Sequence, residues 1–209
     1  MRKLLFLFLW LMPLFADAAH QPAMWQTFYK QSFTGRNLST NPLTVGGLKG
    51  DFFDYKVIVV KRATGTASSM LVRPNGDSGT NIRRYFMQGA DSSVSCTFQN
   101  SDTWFSPGST GANTNYVATC IFDIAGKSGA ERAFPFLSSS NWSTNYIYSG
   151  VYYWKNTADE LTSLVFFSND NTAQDFDLII LQKPKLAQDA EWELVERKTL
   201  SATNLSNGV

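Results

Sequence analysis

Histidine, the side chain on which much acid–base and metal chemistry depends, occurs once in this sequence, at His20. It lies beside a predicted cleavage site, so no buried histidine of the folded domain is available as a general base or metal ligand. Serine–histidine–aspartate and cysteine–histidine catalysis are therefore excluded within that domain. No phosphate-binding glycine loop or H-E-x-x-H motif is present. A catalytic carboxylate pair stays open, because the 17 acidic residues offer many combinations and the sequence singles out none. We predict that the chain is not an enzyme.

Cys96 and Cys120 are the only two cysteines, and each falls in a predicted strand. In an exported chain an even number of cysteines favours a disulfide. The bridge would close a loop of about 25 residues and stabilise the fold by roughly 3 kcal/mol. The alternative is a pair of buried thiols that pack as small apolar side chains. The sequence favours the disulfide.

Aromatic residues are numerous, and several fall in predicted loops, where they favour ligand binding. Trp104 and Phe105 lie in the polar connection 100–115, and Trp142 lies in the serine-rich connection 138–144. Sugar rings stack on exposed aromatic faces, and neighbouring Asn, Asp and Ser side chains supply hydrogen bonds. We therefore predict Trp104, Phe105 and Trp142 as ligand-binding residues. The alternative is that aromatic side chains, including those of the strand at 146–154, belong to the core.

A structural calcium ion is the only cofactor that the sequence suggests. Asn75 and Asp77 lie in one turn and could supply oxygen ligands. Ordinary turn chemistry explains the same residues, because Asn and Asp side chains bond to nearby backbone groups.

The ends of the chain predict export and a separate tail. Residues 1–18 combine a basic start, an apolar stretch and an Ala-Asp-Ala site, as a secretory signal peptide does. Residues 19–185 form the predicted domain. Residues 186–209 form a linker and an extended tail, in which 192–206 can be laid over 25–39 without a gap. That overlay predicts either a repeated first strand or the start of a second domain. We predict no stable membrane span after signal cleavage.

Short β-branched and aromatic runs separated by turns predict an all-β antiparallel sandwich. Residues 55–86 organise it as three strands joined by two turns, which we interpret as a meander. The first turn is rich in small residues, and the second contains Asn75-Gly76. A net charge of +1 gives no indication of a nucleic-acid partner.

The run from the strand at 70–73 through the turn 75–78 (NGDS) to Tyr85 resembles β-sandwich domains of tailed-bacteriophage virion proteins, in which it recurs in tail, fibre and decoration components. Residues 159–181 (DELTSLVFFSNDNTAQDFDLIIL) resemble the closing strand pair of those domains. The resemblance implies a jelly-roll-like sandwich with a structural or receptor-binding role and no reaction. The signal peptide departs from that family, whose members usually assemble in the cytoplasm.

Three hypotheses follow for function. The first is a non-catalytic structural or adhesive protein of phage-virion type, which would self-associate or contact other virion proteins. The second is an exported carbohydrate-binding module, with a glycan or cell-surface receptor as its partner. The third is a carboxylate-dependent glycan hydrolase. The predicted location is the virion, or the extracellular or periplasmic space.

Overall fold

The computed structural model describes residues 24–90, 93–141 and 145–185, and within them the chain forms twelve strands and no helix. The strands are β1 (Gln26–Asn37), β2 (Leu43–Gly46), β3 (Phe53–Arg62), β4 (Ser68–Pro74), β5 (Ile82–Ala90), β6 (Ser93–Asp102), β7 (Phe105–Thr110), β8 (Val117–Ile124), β9 (Arg132–Asn141), β10 (Asn145–Trp154), β11 (Ser163–Phe167) and β12 (Ala173–Pro184).

The strands form two antiparallel sheets of unequal width. The wide sheet has the order β1-β12-β3-β8-β9-β10-β5-β6, and the narrow sheet has the order β2-β11-β4-β7. Buried residues of both sheets form one hydrophobic core. The predicted all-β antiparallel sandwich is therefore confirmed.

Alternate residues along each strand point into the core. In β3, Tyr55, Val57 and Val59 point inward and are at most 1% exposed, while the residues between them are only partly buried. Leu164 of β11 and Phe176 of β12 are fully buried in the same core. Because successive side chains of a strand point to opposite faces, each strand contributes one row to the core and one to the outer surface.

Residues 55–86 do form three strands, but these strands do not make a meander. β3 and β5 belong to the wide sheet, and β4 belongs to the narrow sheet. The turns are therefore corners at which the chain changes sheets. At the second corner Asn75 and Gly76 have φ values of 50° and 68°, which these residue types tolerate.

Two of the strands were not predicted from the sequence. β2 is only four residues long, and β7 lies inside the predicted polar loop 100–115. β7 has the sequence FSPGST. Its proline, glycine and serines do not indicate a strand, because these residues are rare in central strands. Both strands lie at an edge of the narrow sheet, where such a composition is tolerated.

The predicted signal peptide and tail, including the overlay of 192–206 on 25–39, lie outside the described residues. Within the described part of the chain, no helix is long and apolar enough to cross a membrane.

A buried lysine joins the two sheets. Lys61 of β3 is fully buried, and its Nζ donates to the Ser68 carbonyl oxygen at 2.5 Å, to Ser68 Oγ at 2.6 Å and to Thr110 Oγ1 at 3.0 Å. All three acceptors are neutral and belong to the narrow sheet. Burial lowers the pKa of Lys61 from 10.5 to about 7, and the charge of Asp170 offsets only part of that effect.

The low pKa of Lys61 predicts a pH-dependent stability. Between about pH 7 and pH 10.5 the unfolded chain binds a proton at this lysine that the folded chain has lost, so stability rises with pH in that window. We expect chemical denaturation at about pH 7 and pH 9.5 to show a Lys61 contribution of up to roughly 1.4 kcal/mol per pH unit. Lys61→Met should remove this contribution. The control Lys56→Met, at a partly exposed lysine of the same strand, should retain it. Equal slopes in Lys61→Met and wild type would contradict the prediction.

Gly150 of β10 marks a position where the backbones of β10 and β5 come close. A Cβ atom built at Gly150 would lie 2.6 Å from Phe86 Cα and would also collide with the Tyr85 carbonyl oxygen. We therefore expect Gly150→Ala to lower the free energy of unfolding by roughly 1–3 kcal/mol, as overpacking does. Gly46→Ala in β2 is the matched control, because a Cβ atom there meets nothing within 4 Å. Urea denaturation of both variants checks this, and equal stabilities would refute it.

Candidate functional site

The unequal widths of the sheets leave part of the wide sheet uncovered. β7 is the edge of the narrow sheet and packs over β8 and β9. β10 and β5 lie beyond that edge, so part of their inner face opens to solvent. A groove therefore runs between the β7 edge and the inner face of β9, β10 and β5.

The groove has a volume of about 340 Å³. Five aromatic residues contribute to its walls, and most of the other lining side chains are polar. The lining residues are Ser69, Leu71, Arg84, Phe86, Trp104, Ser106, Gly108, Ser109, Phe136, Ser138, Ser140, Tyr148, Tyr152 and Asn169.

Serine hydroxyls of β9 cap the exposed edge of β7. Ser138 Oγ donates to the Pro107 carbonyl oxygen at 3.4 Å, and Ser140 Oγ donates to the Ser109 carbonyl oxygen at 2.5 Å. Pro107 itself has no N–H to offer a neighbouring strand. These features discourage an added strand at this edge. Ser138 and Ser140 are only 4% and 5% exposed, but both line the groove and each hydroxyl oxygen keeps acceptor capacity.

Arg84 is the one charged residue among the described residues that line the groove, and an acid neutralises it. Its Nε lies 2.9 Å from Asp102 Oδ2, and its Nη2 donates to Gln99 Oε1. Its guanidinium lies 5.5 Å from the centre of the Phe86 ring and 5.8 Å from that of the Trp104 ring. Burial raises the pKa of Asp102, although Arg84 acts in the opposite direction. The groove therefore presents aromatic faces held in place by an internal ion pair.

The two tyrosines of the groove remain protonated at neutral pH. Burial raises the pKa of Tyr152 to about 12, and its hydroxyl oxygen accepts a hydrogen bond from the Ser106 N–H at 3.4 Å. Burial also raises the pKa of Tyr148. The Tyr148 ring lies edge-on to Phe86, with ring centres 6.0 Å apart, and stacks with Tyr146 at 5.9 Å. This packing restrains the rings, and a phenol hydroxyl can donate or accept a hydrogen bond.

The three predicted ligand-binding aromatics have different positions. Trp104 lines the groove and is partly exposed, as a stacking residue requires. Phe105 is 1% exposed and packs in the core, 5.2 Å from Phe122 and 5.0 Å from Tyr152 between ring centres. Its ring has no free face for a sugar, because the alternation of β7 turns it inward. Trp142 lies outside the described residues.

The predicted calcium ligands are occupied by hydrogen bonds within the protein. Asn75 Oδ1 accepts from the N–H groups of Thr162 and Ser163 at 2.8 and 3.0 Å. Asp77 Oδ2 accepts from Trp154 Nε1 at 2.8 Å. Burial acts to raise the pKa of Asp77, but this and other hydrogen bonds to the carboxylate outweigh it, so the pKa is lowered. Within the three described ranges, no group of three or more His, Cys, Asp or Glu could hold a metal ion. These residues therefore fix the turn to its neighbours.

The predicted Cys96–Cys120 disulfide is wrong for this fold. Both cysteines are free: Cys96 is exposed on β6 and Cys120 is buried on β8. Three strands separate β6 from β8, which puts the two residues about 19 Å apart at the usual strand spacing. A disulfide requires Cα atoms within about 7 Å. The sequence showed two strands flanking a loop but not the strands that lie between them in the sheet.

Most of the groove was not predicted from sequence. Its aromatic wall includes Phe86 and Tyr148, which fall in strands and therefore resemble core residues. A signal is nevertheless present in β9, where the inward positions change from Phe134 and Phe136 to Ser138 and Ser140. A strand whose inner row changes from apolar to hydroxyl residues is leaving the core, and that change could have located the groove.

No protein-family model matches the chain, and no curated protein matches it. The resemblance to phage-virion domains therefore stays a prediction, as do the signal peptide and the absence of catalysis.

The placement of the two cysteines predicts their reactivity. In protein reduced and then freed of reductant, we expect a thiol reagent to modify one thiol per native chain, Cys96, and two after denaturation. Cys120 is 1% exposed and burial raises its pKa to about 12, so it resists modification in the folded state. Titration with a chromogenic disulfide reagent measures both numbers. A native chain with two fast thiols would contradict the burial of Cys120.

Proposed function

We propose that this chain is a non-catalytic, adhesive β-sandwich that binds a neutral glycan in the groove between β7 and the strands β9, β10 and β5. One observation supports the proposal above all: aromatic faces and hydroxyl groups line the same groove. Trp104 and Tyr148 offer faces on which a sugar ring can stack, and Ser138 and Ser140 offer oxygens that accept from sugar hydroxyls.

The charge of the groove favours a neutral ligand. Arg84 is paired with Asp102, and the other lining residues that the structure describes carry no charge. An acidic sugar would have to compete with Asp102 for the guanidinium, whose position also supports the Trp104 ring. Neutral hydroxyl-rich rings need no such exchange. The volume of about 340 Å³ lies at the lower end of small-ligand sites, so the groove suits a short stretch of a sugar chain.

The capped edge of β7 favours a glycan over an extended peptide. A peptide that added a strand at this position would need free backbone groups on β7. Pro107 lacks the donor, and hydroxyls already engage the carbonyl oxygens of Pro107 and Ser109. A sugar can bind in the groove without backbone hydrogen bonds from β7.

The resemblance to phage tail and fibre domains supports the adhesive part of this proposal, since such components recognise cell surfaces. It leaves two locations open, the virion and the outside of an exporting cell. Groove binding is compatible with either location.

Binding to an array of immobilised neutral and acidic oligosaccharides tests the proposal, and titration calorimetry with the best neutral member measures its affinity. We expect Trp104→Ala to weaken that affinity about 5- to 10-fold, because a lost aromatic contact costs roughly 1 kcal/mol. Trp25→Ala is the matched control. Trp25 is also partly exposed, but it lies between Lys56 and Lys183, away from the groove lining.

Wild-type affinity in Trp25→Ala and an unchanged melting temperature in Trp104→Ala would assign the loss to the groove. Failure of every array member to bind would refute the proposal. Preference for acidic sugars would refute its neutral-ligand part, and hydrolysis of a bound oligosaccharide would refute the non-catalytic part.

A further inference from the structure

The two sheets have four edge strands, and three of them carry features that prevent pairing with another chain. β1 carries Lys30 and Arg36, and its register with β12 is interrupted twice. β2 is only four residues long. β7 contains Pro107 and is capped by hydroxyls of β9. Charges, bulges, shortness and proline are the usual protections of a sheet edge.

The fourth edge, β6, has none of these protections over residues 93–99. The run SVSCTFQ contains no charged residue and no proline. Its register with β5 is continuous from Gln99 opposite Arg84 to Ser93 opposite Ala90. Among the described residues, no strand pairs with the outer side of β6. Val94 and Phe98 are 77% and 58% exposed, so apolar side chains accompany the free backbone edge.

We propose that β6 is a homodimer interface at which residues 93–99 of two copies pair as antiparallel strands about a two-fold axis through Cys96. With Cys96 at the centre, Val94 lies opposite Phe98 of the second copy, and Ser95 lies opposite Thr97 of the second copy. Ser93 and Gln99 complete the ladder.

The sequence of the edge is self-complementary in this register. Val94, Cys96 and Phe98 share the outer face of the wide sheet, because they pair with Gly89, Met87 and Tyr85 of β5. Each apolar residue therefore meets an apolar residue, and on the other face each hydroxyl or amide meets a polar partner. Aromatic–β-branched pairs and Ser–Thr pairs both stabilise antiparallel strands.

A second copy fits this edge better than a charged partner does. Antiparallel pairing of a segment with its own copy gathers the charges of both copies along one short ladder, so a strand with a net charge would repel its copy. The run 93–99 carries no charge and avoids that repulsion. Phe98 already stacks on Tyr85 with ring centres 4.7 Å apart, which presents it in a fixed position. A paired ladder of seven residues would be about 24 Å long. We expect a dimer with a dissociation constant in the micromolar range.

A disulfide between the Cys96 residues of two copies would test the proposed strand register directly. Directly opposed residues of antiparallel strands have Cα atoms about 4.5–5.5 Å apart, within the range that a disulfide spans. Treatment of the full chain with oxidised glutathione should therefore join two copies through Cys96. The two thiols are oxidised to one disulfide, and one glutathione disulfide is reduced to two glutathione thiols. A non-reducing gel should show a species of twice the monomer mass, whereas Cys96→Ser should show none.

The double variant V94C, C96S is the register control. Two copies of residue 94 would lie about four residues apart along the paired strands, roughly 13 Å, too far for a disulfide. Covalent dimer formation as fast in this variant as in the wild type would indicate random collision and would overturn the proposal.

The non-covalent dimer is tested by sedimentation in the presence of reductant. Wild type and Cys96→Ser should dimerise at high micromolar concentration. Cys96→Lys places two like charges opposite each other and should sediment as a monomer. Leu137→Lys is the matched control, because Leu137 is 57% exposed on the outer face of the same sheet but lies on the interior strand β9. It should remain dimeric.

A wild type that stays monomeric at these concentrations would overturn the proposal. The proposal would also be overturned if Leu137→Lys dissociated the dimer and Cys96→Lys left it intact. That result would indicate that the outer faces of two sheets stack on each other.

Discussion

A sheet of four strands cannot cover a sheet of eight, and this mismatch determines the rest of the molecule. At the usual strand spacing the narrow sheet is about 19 Å wide and the wide sheet about 38 Å. Where the sheets overlap, inward side chains such as Val57 and Phe176 are fully buried. Beyond β7 the same inner face must tolerate water, and there the aromatic rings are joined by hydroxyls and an ion pair. The groove is therefore the uncovered continuation of the core.

Two buried cations hold the ends of the sandwich by different means. Arg132 is fully buried, its Nη1 donates to the Asn156 carbonyl oxygen at 3.1 Å, and its Nη2 lies 3.6 Å from Asp51 Oδ1. Its guanidinium also lies over the Trp154 ring at 5.0 Å. Lys61 lies near the end of β3 that is remote from Asp51, and its direct partners are all neutral oxygens. A buried charge is tolerated where it is paired and hydrogen-bonded. Arg132 meets both conditions, whereas the Lys61 amine meets only the second and gives up its proton more easily.

The sequence predicted the fold class because that depends on local patterns. The alternation in β3 and the positive-φ turn at Asn75 are readable from neighbouring residues alone. Long-range contacts decide which sheet each strand joins and where it lies in that sheet. The positions of β8 and β6 in the wide sheet, and therefore the distance between Cys96 and Cys120, could not be predicted from the sequence. Trp104 was found because it interrupts a polar connection. The groove residues on strands were missed because a strand residue that faces a groove has the same periodicity as one that faces the core.

The two-fold axis inferred at β6 has a consequence for ligand binding. Antiparallel strands paired at a sheet edge are related by an axis perpendicular to the sheet, so the inner faces of both copies point the same way. The two grooves would open side by side toward one surface. On a membrane or capsule that displays many identical sugar chains, occupation of one groove would hold the other at a high effective concentration of ligand. Avidity of this kind can exceed the single-site affinity by about 10²–10⁴ without any new contact, provided that the spacing of the sugar chains matches that of the grooves. Even a modest affinity of each neutral groove would then give firm and reversible attachment.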